Sequence, residues 1–243
     1  MRPIRREVPP ESIHPDAPMT AEYRTLLLRC MANHARGELE ASNIYSNWIR
    51  RAPGPEEKMY VADIAHEETE HWYKTIRLME DLGVSADQVS RHQSPQWFYH
   101  LAHLAIPRTC WVDLLLGAFL IDRAANFMIE EFAESSYAPW AKLARKIVHE
   151  EEGHAEFGVR FLQEEIKKHG AETIQRSLYR WWRFALYAFG PPYAKRTEAY
   201  IRLGLKTRHN EERRQAFRRD CEPRIRALGL EVPRLIRETY PFI

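Results

Sequence analysis

Two hexamers constrain this chain more than any other stretch: His66-Glu67-Glu68-Thr69-Glu70-His71 and, 83 residues later, His149-Glu150-Glu151-Glu152-Gly153-His154. Each contains Glu-x-x-His, pairing Glu68 with His71 and Glu151 with His154. Residues three apart share one face of an α-helix, so a carboxylate and an imidazole at this spacing can meet at one cation. A single match carries little weight, and its ordinary meaning is a solvated helix face. Glu11-x-x-His14 also fits, for example, yet it lies in a leader broken by Pro3, Pro9, Pro10, Pro15 and Pro18, where a helix is disfavoured. Repetition inside long helical segments changes the weighting, as does a carboxylate upstream of each copy.

Those upstream carboxylates are Glu38, 30 residues before Glu68, and Asp122, 29 residues before Glu151. A helical hairpin followed by a pseudo-twofold copy gives this spacing. A four-helix bundle that binds two metals takes one carboxylate from each of two helices and Glu-x-x-His from each of the other two. The chain supplies the set in order: Glu38, Glu68 with His71, Asp122, then Glu151 with His154. Glu130 and Glu131 compete with Asp122, but they stand only 21 and 20 residues before Glu151 and break the symmetry. His66 and His149 are displaced from His71 and His154 by about 140° round a helix and read as surface or supporting residues. Neither hexamer is His-Glu-x-x-His, because Glu70 and Gly153 stand where the second histidine would be.

The expected fold is therefore all-α. Leu27, Met31, His34, Glu38, Ala41, Tyr45 and Trp48 fall on one stripe of a first helix, about Met19 to Ile49. A glutamate inside that stripe is costly unless something neutralises it. Pro53-Gly54-Pro55 breaks the chain, and a second helix runs to about Leu82, where Gly83 ends it. Residues 84–108 form a long irregular crossover, with breaks at Ser94-Pro95 and Ile106-Pro107 and with Trp97, Phe98, Tyr99, His100 and His103 expected to pack over the bundle's end. One such crossover between helices two and three is the ferritin-like topology.

A third helix, about Thr109 to Glu134, carries Leu115, Ala118, Asp122, Ala125 and Ile129 on one face. A fourth starts at Ser135–Pro139 and stops at Gly170, and two or three more follow, broken by Gly190-Pro191-Pro192 and Gly229. The expected organisation is an extended arm over 1–18, a di-metal bundle over 19–170 and a helical annex over 171–243, in one domain overall. The arm reads as a free tail in preference to a strap against a partner subunit. Trp181 and Trp182 are expected to pack the annex on the bundle. Arg213, Arg214, Arg218, Arg219, Arg224 and Arg226 read as a solvated face, with an anionic cofactor or acidic partner as the sharper alternative.

Composition narrows the chemistry. A net charge of +2 over 243 residues, without a recognised motif, does not suggest nucleic-acid binding. Cys30, Cys110 and Cys221 lack metal-ligand spacing, which points to a reducing cytoplasm and away from an iron–sulfur cluster. The basic amino terminus has no apolar stretch behind it, so a secretory signal is not expected. The longest uncharged apolar run, Leu114 to Ile121, is too short for a bilayer.

Four carboxylates and two imidazoles cancel the charge of two divalent ions, which a dry core requires. Oxygen and nitrogen donors suit two irons, with Mn/Fe as a variant. Open positions on such a pair allow dioxygen to react. With no Gly-x-Gly-x-x-Gly fingerprint and no cluster cysteines, the electrons for an oxygenase are expected from a separate reductase.

Five further segments carry a resemblance: Asn33-His34-Ala35-Arg36-Gly37-Glu38, Asn47-Trp48-Ile49-Arg50-Arg51-Ala52-Pro53, Leu120-Ile121-Asp122-Arg123-Ala124-Ala125, Ser136-Tyr137-Ala138-Pro139 and Phe189-Gly190-Pro191. Together with both Glu-x-x-His pairs, from about Met19 to Pro233, the chain resembles the catalytic A subunits of the ring 1,2-phenylacetyl-CoA epoxidases, ferritin-like di-iron monooxygenases. The resemblance implies a di-iron centre that inserts one oxygen atom of O2 into the aromatic ring of an acyl-CoA. It implies a structurally similar partner subunit lacking metal, a flavin and iron–sulfur reductase, and an oligomer. It also favours Asp122, the aspartate of the Leu120–Ala125 segment. All six positions are filled, as in the metal-bearing subunit. Glu40-Ala41-Ser42-Asn43-Ile44-Tyr45 departs from a smaller, less polar stretch in that family. The rival readings are a ferritin-like peroxidase or iron-handling protein and a non-catalytic scaffold subunit.

Overall fold

The structure, a computed structural model, describes residues 4–93 and 108–234. Among them every regular element is helical. The aromatic cluster at Trp97 to His103 lies outside the described residues.

Helix α1 (Ala21–Trp48) starts where the Thr20 hydroxyl accepts the Tyr23 N–H at 3.1 Å, satisfying a donor that the first turn leaves orphaned. Helix α2 (Pro55–Asp81) starts on a proline, whose missing N–H costs nothing there. It ends at Gly83, which takes φ 75° while the Val84 N–H returns to the Met79 carbonyl at 3.0 Å. A short 3-10 helix (Ala86–His92) follows within the crossover.

The third rod is not the single helix expected. Helix α3 (Trp111–Gly117) passes into a π-helical turn (Ala118–Asp122) before α4 (Arg123–Ile129) and a 3-10 turn (Phe132–Glu134). The π turn adds a residue to the helical repeat, so Ala124 is fully buried downstream and Ala125 is not. Helix α5 (Ala138–His169) runs to Gly170, and α6 (Ala171–Ala188), α7 (Lys195–Arg202) and α8 (Asn210–Ala227) complete the chain. The arrangement is the ferritin-like bundle with added C-terminal helices.

Two apolar clusters flank a charged belt. Leu27 and Met31 of α1, Ile76 and Met79 of α2, Ile129, and Trp140 and Ile147 of α5 form one cluster. Tyr45 and Trp48, Val61 and Ile64, Leu114 to Ile121, and Phe157 and Phe161 form the other. Along α1, α2 and α5 the predicted ligands fall between the two, and on the third rod Asp122 lies within the second cluster, between Ile121 and Ala124. The second cluster takes in Trp181, Trp182 and Phe217, and Trp182 stacks on Phe217 at 5.6 Å, joining the C-terminal helices to the bundle as expected. Trp181 also donates its indole N–H to buried Asp113 at 2.9 Å.

Two expectations are corrected. Arg213 and Arg214 are buried rather than solvated. Arg213 pairs with Glu130 and Glu131, and Glu131 also accepts the Thr207 and Arg208 N–H groups at 2.7 and 2.8 Å. Arg214 donates to the carbonyls of Leu186 and Gly190. Burying a guanidinium demands such partners, and acids on the chain's own helices supply them.

The amino-terminal arm is not free either. The Ile13 N–H donates to the Ser136 carbonyl at 2.9 Å, the Ala138 N–H returns to Ile13, and the Glu7 N–H reaches Arg202 at 2.8 Å. These bonds satisfy main-chain groups beside the start of α5 and the end of α7.

Candidate metal centre

The helical register of each rod aims its polar residues into the belt. Glu38, Glu68, His71, Asp122, Glu151 and His154, from four rods, are all at least nine-tenths buried. Taking one ligand atom from each, Glu38, Glu68, His71 and Glu151 lie within 4.8 Å of one another, as do Glu68, Asp122 and His154. The structure thus brings together all six residues that the spacing singled out, with Glu68 common to both groups. Glu130 and Glu131 are engaged by Arg213, and His66 and His149 are exposed.

The two imidazoles are set by a crossed arrangement. His71 Nε2 lies 3.0 Å from Glu150 and His154 Nε2 lies 2.8 Å from Glu67, so each hexamer's carboxylate holds the other hexamer's histidine. The Nε2 atoms then carry the hydrogens, and both Nδ1 atoms face the acids. His71 Nδ1 is 3.1 Å from Glu38 and 3.4 Å from Glu151. His154 Nδ1 is 3.2 Å from Glu151 and 3.4 Å from Glu68, yet this buried atom has no hydrogen-bond partner. A buried imidazole nitrogen aimed at carboxylates without a hydrogen bond is a donor atom that could hold a cation.

Electrostatics agree. Burial, with Glu68 and Glu151 beside it, pushes the Asp122 carboxyl up to about 7. Burial, with Glu151 and Glu38 as neighbouring acids, holds the Glu68 carboxyl well above the usual range. Burial also opposes charge on the histidines, but the carboxylates win: Glu151 and Glu38 lift His71 to about 11, and Glu151 lifts His154 well above its ordinary value. Bare, this ligand set neutralises itself with protons. Divalent cations could do the same work with the protons removed.

Four more residues shape the centre. The Tyr45 hydroxyl donates to Asp122, and His34 Nδ1 touches Glu38 at 3.1 Å from one turn earlier on α1. The Arg108 guanidinium, buried over the Trp181 ring at 5.3 Å, contributes positive charge that draws the Asp122 carboxyl back down. Gly158 of α5 lets the π turn approach: a Cβ there would stand 2.6 Å from the Phe119 nitrogen and 2.7 Å from the Leu115 carbonyl oxygen. Of the residues that sequence reasoning passed over, Glu67 and Glu150 had a signal, since they recur at the same 83-residue interval as the ligands. His34 showed only as a polar member of an apolar stripe, whereas Tyr45 also closed the stretch from Glu40 that departs from the family.

This geometry can be set beside known proteins. Over 226 residues the chain is 26% identical to the A component of the 1,2-phenylacetyl-CoA epoxidase of Escherichia coli (strain K12), one subunit of that enzyme, covering 91% of this chain and 73% of that one. The pattern that describes the phenylacetic acid catabolic proteins matches residues 4–239, nearly the whole sequence. With a match of that extent, on a helical bundle with a buried acid and histidine belt, the chain belongs to the phenylacetic acid catabolic protein family.

Proposed function

We propose that this chain is the metal-bearing subunit of a multicomponent oxygenase, and that it inserts one oxygen atom of O2 into an aromatic acyl-CoA-type substrate. The observation that carries the reading is the convergence of six buried donors from four rods, with an orphaned His154 nitrogen aimed into them. Glu38, Glu68, His71, Asp122, Glu151 and His154 are the proposed ligands of two irons, or of an Mn/Fe pair. When bound, such a pair supplies reduction of dioxygen and transfer of one of its atoms to the ring.

The chain's own residues do the rest. Glu67 and Glu150 fix the tautomer and ring plane of the two histidines, leaving each Nδ1 lone pair directed inward. Glu68, common to both donor groups, would serve as a ligand in each. The apolar clusters on either side exclude water, which strengthens every charge interaction inside. In this reading, residues 19–170 form the metal bundle and 171–243 an annex sharing its core, in one domain.

The relative's designation as one subunit of an enzyme supports partner chains; a partner of similar fold and electrons from a separate NAD(P)H-dependent reductase are further parts of the proposal. A cytoplasmic site of action fits as well: among the described residues no helix is long and apolar enough to cross a membrane.

The test is iron quantification together with oxygen uptake, using phenylacetyl-CoA and a surrogate reductase. Uptake matched by oxygenated product supports the proposal, and Glu68→Ala or Glu151→Ala abolishes both metal loading and turnover. Peroxide decay without product would instead indicate an iron-handling protein. A chain that takes up no metal would be a scaffold subunit, and the proposal would fall.

A further inference from the structure

We propose that Tyr45 makes the two positions of the metal centre unequal: by holding one oxygen of Asp122, it leaves the position at Asp122 and His154 with fewer protein ligands and a weaker grip than the position at Glu38 and His71. This rests on the metal reading above. Nothing in the 83-residue repeat requires such inequality.

The Tyr45 side chain is fully buried on α1, and its hydroxyl donates to Asp122 Oδ2. Its ring lies 6.5 Å from that of His154, so it stands against the second position and not the first. A carboxylate has two oxygens, and one that accepts a phenolic hydrogen is poorly placed to chelate. Asp122 would therefore offer a cation a single oxygen free of that bond more readily than a chelating pair.

Among the described residues no hydroxyl donates to Glu38, the counterpart of Asp122. Tyr45 stands seven residues after Glu38, and the residue seven after Asp122 is Ile129, buried and apolar. Glu38 instead meets two imidazoles, His71 and His34, each at 3.1 Å. The donor groups differ in the same sense: four residues converge at the first position and three at the second. A position short of protein ligands is where a small molecule can bind. Tyr45 thus directs the exchangeable coordination site to the Asp122 side.

Titration of the metal-free chain with Co(II) tests this, using equilibrium dialysis and the visible absorption of bound cobalt, which weakens as coordination rises from four ligands to six. The wild-type chain should take up cobalt in two phases whose Kd values differ by at least about tenfold, the scale on which supporting hydrogen bonds alter metal affinity. Tyr45→Phe should tighten the weak phase by about tenfold and lower its absorption per ion, leaving the tight phase unmoved. Asp122→Ala should erase the weak phase only.

Two equal sites in the wild-type chain, or a Tyr45→Phe titration that superimposes on the wild-type one, would overturn the inference and leave the metal reading standing. Absence of cobalt uptake by the wild-type chain would overturn both. If circular dichroism shows Tyr45→Phe unfolded, Asp122→Ala decides: loss of both phases refutes the inequality, and loss of the weak one alone upholds it.

Discussion

The two halves of the bundle carry equivalent ligands on unequal backbones. In the first half α1 runs unbroken over 28 residues and reaches the centre with a glutamate. In the second half the corresponding rod is interrupted by the π turn, and the carboxylate at the end of that turn belongs to Asp122, one methylene shorter. The facing helices differ to match. Gly158 of α5 gives way to the backbone of Phe119, whereas the residue 83 positions earlier is Thr75, a buried side chain whose hydroxyl bonds the His71 carbonyl at 2.8 Å. The second half thus trades side-chain reach for backbone displacement. Symmetry of ligands does not need symmetry of helices, and a one-residue insertion into a helix can be absorbed where the neighbour has no Cβ.

The contrast can be broken most directly at Gly158. An alanine there meets backbone on two sides, so Gly158→Ala should cost about 3 kcal/mol in urea denaturation and impair loading of the Asp122 position. Stability equal to wild type would show that the close approach is not what seats the π turn. Next in size is the crossed support of the histidines. Glu67→Ala should weaken the second half's position, through His154, and Glu150→Ala the first half's, through His71, each by roughly 10–100-fold in metal affinity. Should each variant disturb its own half instead, the crossing would be refuted.

The smallest effect concerns the glycines that face outward in each half. Gly37 and Gly153 have nothing within 4 Å of a built Cβ, so alanine at either should raise stability by about 0.5–1 kcal/mol in thermal melts, with loading unchanged. A loss at one alone would expose a further difference between the halves.

Much of this was readable in the sequence because it depends on local periodicity. Pro55, Gly83 and Gly170 mark helix ends through backbone chemistry that needs no tertiary context. The meeting of six side chains follows from spacings of three and 83.

The π turn was not readable. Gly117-Ala118-Phe119-Leu120-Ile121 is buried on every side, and a helix apolar all round gives no stripe against which an added residue would show. Arg213 and Glu131 stand 82 residues apart, and no local pattern links them. The docking of the arm runs through main-chain bonds, which any side chain permits. Glu67 and Glu150 are a different case: their repetition was visible, but attention to the i, i+3 pairs passed over the neighbours that hold those pairs in place.

The arm also orders events during synthesis. Its partners, Ser135, Ser136, Arg202 and Gly204, stand up to 198 residues downstream of it. A growing polypeptide can dock Ile13 once Ser136 and Ala138 have emerged, but it cannot fasten Arg6 and Glu7 until Arg202 and Gly204 have left the ribosome. The arm therefore closes in two stages, and a nascent chain halted before α7 would hold Ile13 in place while Arg6 and Glu7 still lack these partners.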